Sequence, residues 1–169
     1  MGDLYGVKQF FKDHAHEIDG FISVDGGPRS ITYGGTGSHR YEVKFHGAGG
    51  HSFGDFGMPN PIHAMGRAIA NLADVKTPSD PWTTFSVGVI EGGTSVNSIA
   101  HDCSFLLDIR SNTAECLDAA DAEIMACIKK GVEEENARWA DDAEIESNRI
   151  HKQPGKTPHS QRYVTLEIV

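Results

Sequence analysis

The sequence predicts an α+β protein in which a split βαβ sandwich is joined to a fragment of an α/β domain. The sandwich is a four-stranded antiparallel sheet with two helices on one face. It is predicted because strand-like alternation and helical spacing of apolar residues follow one another in the order β-α-β-β-α-β between residues 38 and 150. The α/β fragment is predicted because residues 1–37 contain too few elements to bury a core alone.

Residues 1–37 begin with a predicted helix. Helical spacing is shown by the apolar residues Leu4, Val7, Phe10 and Phe11. After Gly20, the apolar run at 21–24 predicts a short buried strand, and a second short strand is predicted from Ser30 to Tyr33. We expect these elements to form the edge of a larger domain.

The first half of the sandwich is a strand, a loop and a helix. The strand alternates Tyr41, Val43 and Phe45. Five glycines and two prolines between Gly47 and Pro61 predict a shaped loop, because both residue types disfavour the interior of a helix or strand. Asn60 as N-cap and Pro61 at the first helical position predict the start of the helix. Its predicted apolar face holds Ile62, Met65, Ile69 and Leu72.

The second half holds two strands, a helix and a final strand. The two strands alternate Phe85, Val87 and Val89, then Cys103, Phe105, Leu107 and Ile109. Asn112 or Thr113 is predicted to cap the second helix, whose stripe is Leu117, Ala120, Ile124, Ile128 and Val132. The fourth strand is predicted near Ala143 to Ile150. Residues 151–169 are predicted to be a linker and a return to the α/β domain.

Composition excludes several classes of protein. The chain has 169 residues, of which 38% are hydrophobic and 23% charged, as in ordinary globular proteins. Its formal net charge of -9 argues against nucleic acid or an anionic membrane as partner. Three cysteines without metal-site spacing favour a reducing cytoplasm. We expect neither a membrane span nor a signal peptide.

Four positions could carry chemistry. His51 lies in the middle of the glycine-rich loop, where it could offer a ring nitrogen to a ligand or could simply face solvent. Asn97 precedes the third strand and is either a turn residue or an amide donor. Arg110, at the end of that strand, has a parity that points it away from the core, where it could clamp a carboxylate or pair with Asp108. Asp25 follows the predicted buried strand at a position where α/β sheets bind ligands, including metals.

Other site types fit the sequence poorly. The glycine clusters lack the lysine of a phosphate-binding loop and the full fingerprint of a dinucleotide site. Ser52 and Ser95 do not lie in a nucleophile elbow. The run Glu133–Glu135 is expected to be surface charge at the end of a helix.

Three motifs follow one another along the chain: Gly47-Ala48-Gly49-Gly50-His51-Ser52, then Gly92-Gly93-Thr94-Ser95-Val96-Asn97, then Leu107-Asp108-Ile109-Arg110-Ser111. In this order they resemble the dinuclear-zinc aminoacylase and exopeptidase family, peptidase family M-twenty. The resemblance covers the chain from about Val7 to Pro158. It implies a ferredoxin-like lid and dimerisation domain at 38–150, inserted into a catalytic domain of which 1–37 would be a part.

The resemblance also implies roles for the four positions. His51 would donate to the oxyanion of the tetrahedral intermediate in the active site of the other subunit of a homodimer. Asn97 and Arg110 would hold a carboxylate or carbonyl of the substrate, and their spacing suggests delivery to one cleft. Asp25 would be a single ligand of the metal site, which holds two zinc ions in the complete enzyme.

The family's other metal ligands and its general base have no match in this chain. We therefore expect a lid segment of a zinc-dependent hydrolase that cleaves small peptides or N-acyl amino acids and is inactive by itself. The alternative is a non-enzymatic, self-associating interaction module, in which the glycine loops are only turns.

Overall fold

The computed structural model describes residues 5–24, 27, 29, 31, 34–139 and 164–169. The chain divides into two compact units, Met1–Tyr33 and Gly34–Val169. The smaller unit contains helix α1 (Tyr5–His14), as the spacing predicts, followed by a short 3-10 helix (Ala15–Glu17).

The buried strand predicted at 21–24 is not present. These residues form no strand, and the side chains of Ile22 and Val24 are 89% and 99% exposed. A short apolar run alone does not make a strand, because the backbone donors and acceptors also need a partner strand. In this segment Phe21 packs edge-on against Phe11, with 5.2 Å between ring centroids. The strand predicted at 30–33 lies mostly outside the described residues.

The larger unit contains the predicted ferredoxin-like sandwich. Its elements are β1 (Gly37–His46), β2 (Gly50–His51), α2 (Pro61–Ala73), β3 (Thr83–Gly92), β4 (Ser98–Ile99), β5 (Asp102–Ser111), α3 (Ala114–Arg138) and β6 (Thr165–Ile168). The main sheet has the strand order β3-β5-β1-β6 with antiparallel neighbours. A second, two-stranded sheet pairs β2 with β4. The fold class and the order of the first five predicted elements are confirmed.

The fourth strand of the described sheet is β6, at Thr165–Ile168. The strand predicted at 143–150 lies outside the described residues, whereas β6 falls in the segment 151–169 that was predicted to leave the sandwich. Val164 is 3% exposed, and Leu166 and Ile168 pack against the core. Strand β6 pairs with the last four residues of β1, from Val43 to His46.

The core lies between the sheet and the helices. Val43 and Phe45 of β1 and Ile109 of β5 are fully buried, and all four predicted apolar residues of β5 face inward. In β3 the predicted alternation ends at a bulge between Val87 and Val89. Because a bulge shifts the face on which the following residues lie, Val89 is 42% exposed instead of buried.

Both helices begin at predicted caps. Asn60 Oδ1 accepts a hydrogen bond from the Ile62 amide at 2.9 Å, and Thr113, not Asn112, accepts from the Cys116 amide at 3.4 Å. All five predicted stripe residues of α3 are buried. The buried face of α2 is Pro61, Ala64, Met65, Ala68 and Leu72, so that Ile62 at its start is exposed, contrary to the prediction.

Candidate functional site

The short strands β2 and β4 bring the His51 and Asn97 loops together. Gly50 pairs with Ile99 and His51 with Ser98. One residue further, the Ser52 amide donates to the Asn97 carbonyl oxygen at 2.9 Å. Two positions that are 46 residues apart in the chain therefore lie on adjacent backbone segments. The glycine-rich loop is not entirely irregular, since it contains β2.

Asp55 and two glycines shape the backbone around His51. Asp55 Oδ2 accepts from the His51 amide at 2.7 Å, and the Asp55 amide donates to the His51 carbonyl at 2.9 Å. Gly50 has a φ of 154°, and a Cβ there would lie 2.9 Å from Asp55 Oδ2. At Gly49, with a φ of 64°, a Cβ would lie 2.4 Å from the ring of His101. Only glycine fits both positions without strain.

The ring of His51 has one nitrogen engaged and one available. Its Nδ1 accepts hydrogen bonds from the backbone amides of Phe53 at 3.2 Å and Gly54 at 3.3 Å. An accepting Nδ1 carries no hydrogen, so the neutral imidazole has its hydrogen on Nε2. The residue is exposed. The turn therefore presents an N–H donor, held by its own backbone, at the surface of the protein.

Asn97 presents a second donor beside it. Its Oδ1 accepts from the Ser95 hydroxyl at 2.9 Å, which directs the amide nitrogen away from Ser95. Ser98 joins this loop to Thr94 and Ser95 through its hydroxyl. Asn97 is exposed, like His51.

Three large apolar side chains on the loops of His51 and Asn97 are mostly exposed to solvent. Phe53 is 88% exposed, Val96 is fully exposed and Phe56 is 61% exposed. Large apolar side chains grouped at a surface site are typical of a contact with a ligand or another protein.

Arg110 lies at the other end of the sheet. Arg110 lies eight positions after Asp102, the first residue of β5, so at ~3.3 Å per residue Asp102 and Arg110 are about 26 Å apart. Contrary to the expectation from their spacing, Asn97 and Arg110 do not share a cleft within one chain. The predicted orientation is confirmed, since Arg110 is exposed on the face of the sheet opposite the helices.

Arg110 belongs to a charged cluster that only the strand register brings together. Its Nε donates to Asp108 Oδ2 at 2.6 Å, and Arg40 Nε on β1 donates to Asp108 Oδ1 at 2.9 Å. Partial burial raises the pKa of the Asp108 carboxyl, but the hydrogen bonds from Arg110, Arg40 and Ser38 outweigh it and lower the pKa overall. Asp108 therefore stays ionised and orients both guanidinium groups. Arg40 was not among the site residues predicted from the sequence.

The run Glu133–Glu135 was expected to be surface charge, and this prediction holds for only part of the run. Glu133 is exposed, but the Glu135 side chain is completely buried. The sequence contained a signal for this burial, because Glu135 follows Val132 by three residues and so lies on the same buried side of α3.

The predicted metal ligand Asp25 lies outside the described residues. Among the residues that the structure describes, no group of three or more histidine, cysteine, aspartate or glutamate side chains could hold a metal ion. Within the same residues, no helix is both long and apolar enough to cross a membrane.

Comparison with known proteins agrees with the fold and the motifs. The sequence profile of the family described as peptidase dimerisation domain matches residues 33–136. No curated protein matches the chain in a sequence comparison.

Several solved structures share the fold. An aminobenzoyl-glutamate utilization protein from Klebsiella pneumoniae superposes with a TM-score of 0.59 at 14% identity, over 79% of this chain and 27% of its own. For a hydantoinase/carbamoylase family amidase from Burkholderia ambifaria, the TM-score is 0.55 at 18% identity, over 80% of this chain and 27% of its own. For a tripeptidase from Staphylococcus aureus, the TM-score is 0.55 at 15% identity, over 79% of this chain and 28% of its own. At these identities the similarity shows the fold alone, and the chain spans little more than a quarter of each structure.

Proposed function

Since the chain belongs to the peptidase dimerisation domain family of the M-twenty peptidases and amidohydrolases, we propose that it is the lid and dimerisation segment of a zinc-dependent hydrolase. The reaction is hydrolysis of the amide bond of a small peptide or an N-acyl amino acid. The chain acts as part of a homodimer, and its free cysteines agree with a reducing cytoplasm.

The proposed role of His51 is to stabilise negative charge. When water adds to an amide carbonyl, the oxygen becomes an oxyanion that needs hydrogen-bond donors at about 2.7–3.1 Å. The Nε2–H of His51 is such a donor, because two backbone amides occupy Nδ1. The Asn97 amide is a second donor close to it. One donor of this kind lowers the barrier by roughly 3–4 kcal/mol in a site that excludes water.

The proposed role of Arg110 is to bind a carboxylate of the substrate. A guanidinium group can bind a carboxylate through two parallel hydrogen bonds. Asp108 engages only the Nε of Arg110, which leaves its terminal amino groups for a ligand.

The distance between the two ends of the sheet supports a composite site. By the rise of β5, Arg110 lies about 26 Å from Asp102. The loops of His51 and Asn97 adjoin the Asp102 end, where the Gly47 and Gly93 amides donate to the His101 and Asp102 carbonyls. In a two-fold symmetric dimer, one end of the sheet in each protomer can approach the opposite end in its partner. We propose that His51 and Asn97 of one protomer and Arg110 of the other serve the same substrate.

We propose that most of the metal site lies in a part of the enzyme other than this chain. The described residues do not fit a zinc centre, since they contain no group of three or more side chains that could hold a metal ion. Asp25 is proposed as a single ligand. Zinc ions supply polarisation of the scissile carbonyl and activation of water. We therefore propose that residues 1–169 alone do not hydrolyse amides.

The observation that carries this proposal is the outward Nε2–H donor of His51 beside Asn97 in a dimerisation domain of this family. The test is amide hydrolysis by the zinc-loaded complete enzyme that contains this segment. We expect His51→Ala to lower kcat by about 100-fold or more, as removal of one oxyanion donor does. His16→Ala, at an exposed histidine of the smaller unit, is the control and should retain full activity.

Two results would contradict the enzymatic proposal. One is the absence of metal-dependent amide hydrolysis in the complete protein, and the other is hydrolysis that does not depend on His51. The first result would favour the non-enzymatic, self-associating module, whereas the second would contradict the proposed role of His51.

A further inference from the structure

A fully buried carboxylate lies at the junction of the two helices. Glu135 Oε1 accepts from the Asn60 amide at 3.2 Å and from the Trp139 indole N–H at 3.1 Å, and its Oε2 accepts from Arg67 Nε at 3.1 Å. His63 Nδ1 lies 3.6 Å from Oε1. The Glu135 side chain is 0% exposed. It is the only charged residue in the core of the described part of the chain.

The surroundings of Glu135 are built for a negative charge. A buried charge is tolerated only where hydrogen bonds and an opposite charge replace its hydration. Here both oxygens accept hydrogen bonds and the guanidinium group of Arg67 supplies the positive charge. The Asn60 amide also belongs to the N-terminus of α2, where the helix dipole favours an anion. Removal of the carboxylate would leave three buried or half-buried donors without an acceptor.

These contacts hold the segment that carries His51. We call residues 51–60 the His51 loop. The loop is held at its start by pairing of His51 with Ser98, and at its end by the bond from the Asn60 amide to Glu135. In its middle, the ring of Phe56 packs edge-on against Trp139 at 5.5 Å between centroids. The Trp139 ring is in turn oriented by its bond to Glu135.

We infer that Glu135 and Trp139 are positioning residues for His51. Together they hold the loop in the shape in which the Phe53 and Gly54 amides reach Nδ1, and this shape keeps the hydrogen of the ring on Nε2. The inference rests on the proposed role of His51 as a donor. It assigns α3 a second task besides closing the core, namely support of the loop that enters the active site.

The test measures the tautomer of His51 directly, in the 169-residue chain labelled with ¹⁵N-histidine. At pH 8, where an ordinary imidazole is neutral, ring nitrogen shifts distinguish a hydrogen on Nε2 from one on Nδ1. We expect the wild-type ring to be the Nε2–H tautomer. Glu135→Gln has the same shape but only one accepting oxygen, so we expect a mixture of tautomers at His51. Glu133→Gln, at an exposed glutamate on the same helix, should leave the ring unchanged.

A second variant guards against loss of folding in Glu135→Gln. Phe56→Ala removes the exposed end of the Phe56–Trp139 contact and leaves the buried carboxylate in place, and we again expect mixed tautomers at His51. A wild-type tautomer in folded Glu135→Gln or in Phe56→Ala would overturn the inference. The readout needs no activity. Failure of the proposed hydrolysis would therefore leave this result intact, whereas an unchanged tautomer would refute the positioning role alone.

If hydrolysis is established, kinetics give a further check. A positioning residue acts on the transition state through His51, so we expect Glu135→Gln to lower kcat with little change in KM. In the His51→Ala background, Glu135→Gln should have no further effect on kcat. An equal effect in both backgrounds would contradict the inference.

Discussion

Asp108 shows how one side chain on an exposed sheet face can organise its neighbours. Its two oxygens bind Arg40 from β1 and Arg110 from its own strand, and Ser38 adds a third hydrogen bond. Exposed ion pairs contribute little to stability one by one, but a carboxylate shared between two arginines fixes both guanidinium groups. The physical result is a positively charged pair on an otherwise acidic protein.

The lowered pKa of Asp108 predicts a pH-dependent contribution to stability. Because the pKa is lower in the folded than in the unfolded protein, the ionised group stabilises the fold above the unfolded pKa of about 3.9. This contribution is lost as the pH falls from there through the folded pKa. Asp108→Asn should therefore cost more stability at pH 7 than at pH 3, as measured by urea unfolding. A loss of stability that is the same at both pH values would contradict this prediction. Asp19→Asn, at an exposed aspartate, is the control.

At the scale of elements, the contact between α2 and α3 depends on small residues. A Cβ added to Gly131 would lie 2.4 Å from the backbone nitrogen of Ala68. Gly131 is buried, and Ala68 is fully buried on the facing helix. The two helices therefore pack with their backbones in close approach, and this brings Glu135, one turn beyond Gly131, to the start of α2.

Two glycine-to-alanine substitutions should have opposite effects. Gly66 in α2 has open space around its Cα, so Gly66→Ala should stabilise the protein by about 0.5–1 kcal/mol through helix propensity. Gly131→Ala gains the same propensity but clashes with backbone, so it should destabilise by about 1–3 kcal/mol. Thermal and urea unfolding of both variants tests the prediction. Equal stabilisation by both would show that the helices separate without cost.

At the scale of the whole molecule, the sheet has an open edge. In the described order β3-β5-β1-β6, strand β3 lies at one margin and exposes Val89 and Ile90. An exposed strand edge with apolar residues is a ready surface for pairing with a second copy. Pairing of β3 with its symmetry mate would extend the sheet across two protomers, as the proposed composite site requires.

A charge on this edge should separate the protomers. We expect the chain to sediment as a dimer at high concentration and Val89→Asp to shift it toward monomer, because a charge opposes burial of the edge. Leu106 pairs with Val89 and is similarly exposed, but it lies on the interior strand β5. Leu106→Asp should therefore remain dimeric. A monomeric wild-type chain would contradict self-association of this chain, and equal dissociation in both variants would place the interface elsewhere than the β3 edge.

Much of the sandwich could be predicted because its signals are local. Alternation in β1 and β5, the five-residue stripe of α3, and the caps Asn60 and Thr113 each depend on residues within one element. His51, Asn97 and Arg110 could be nominated from motifs for the same reason. Failures occurred where a local signal needed a distant partner. The run 21–24 has no pairing strand among the residues that the structure describes, and the alternation of β3 is interrupted by a bulge.

The sequence by itself determined the sandwich, the positions of its first five elements and the loops that carry the polar candidates. Only the tertiary structure decided that β6 completes the described sheet, that His51 and Asn97 meet while Arg110 lies at the far end, and that Glu135 is buried. The physical reason is the range of the interactions. Helical and strand periodicity arises between near neighbours in the chain, whereas burial and pairing join residues such as Asn60 and Glu135 that are 75 positions apart.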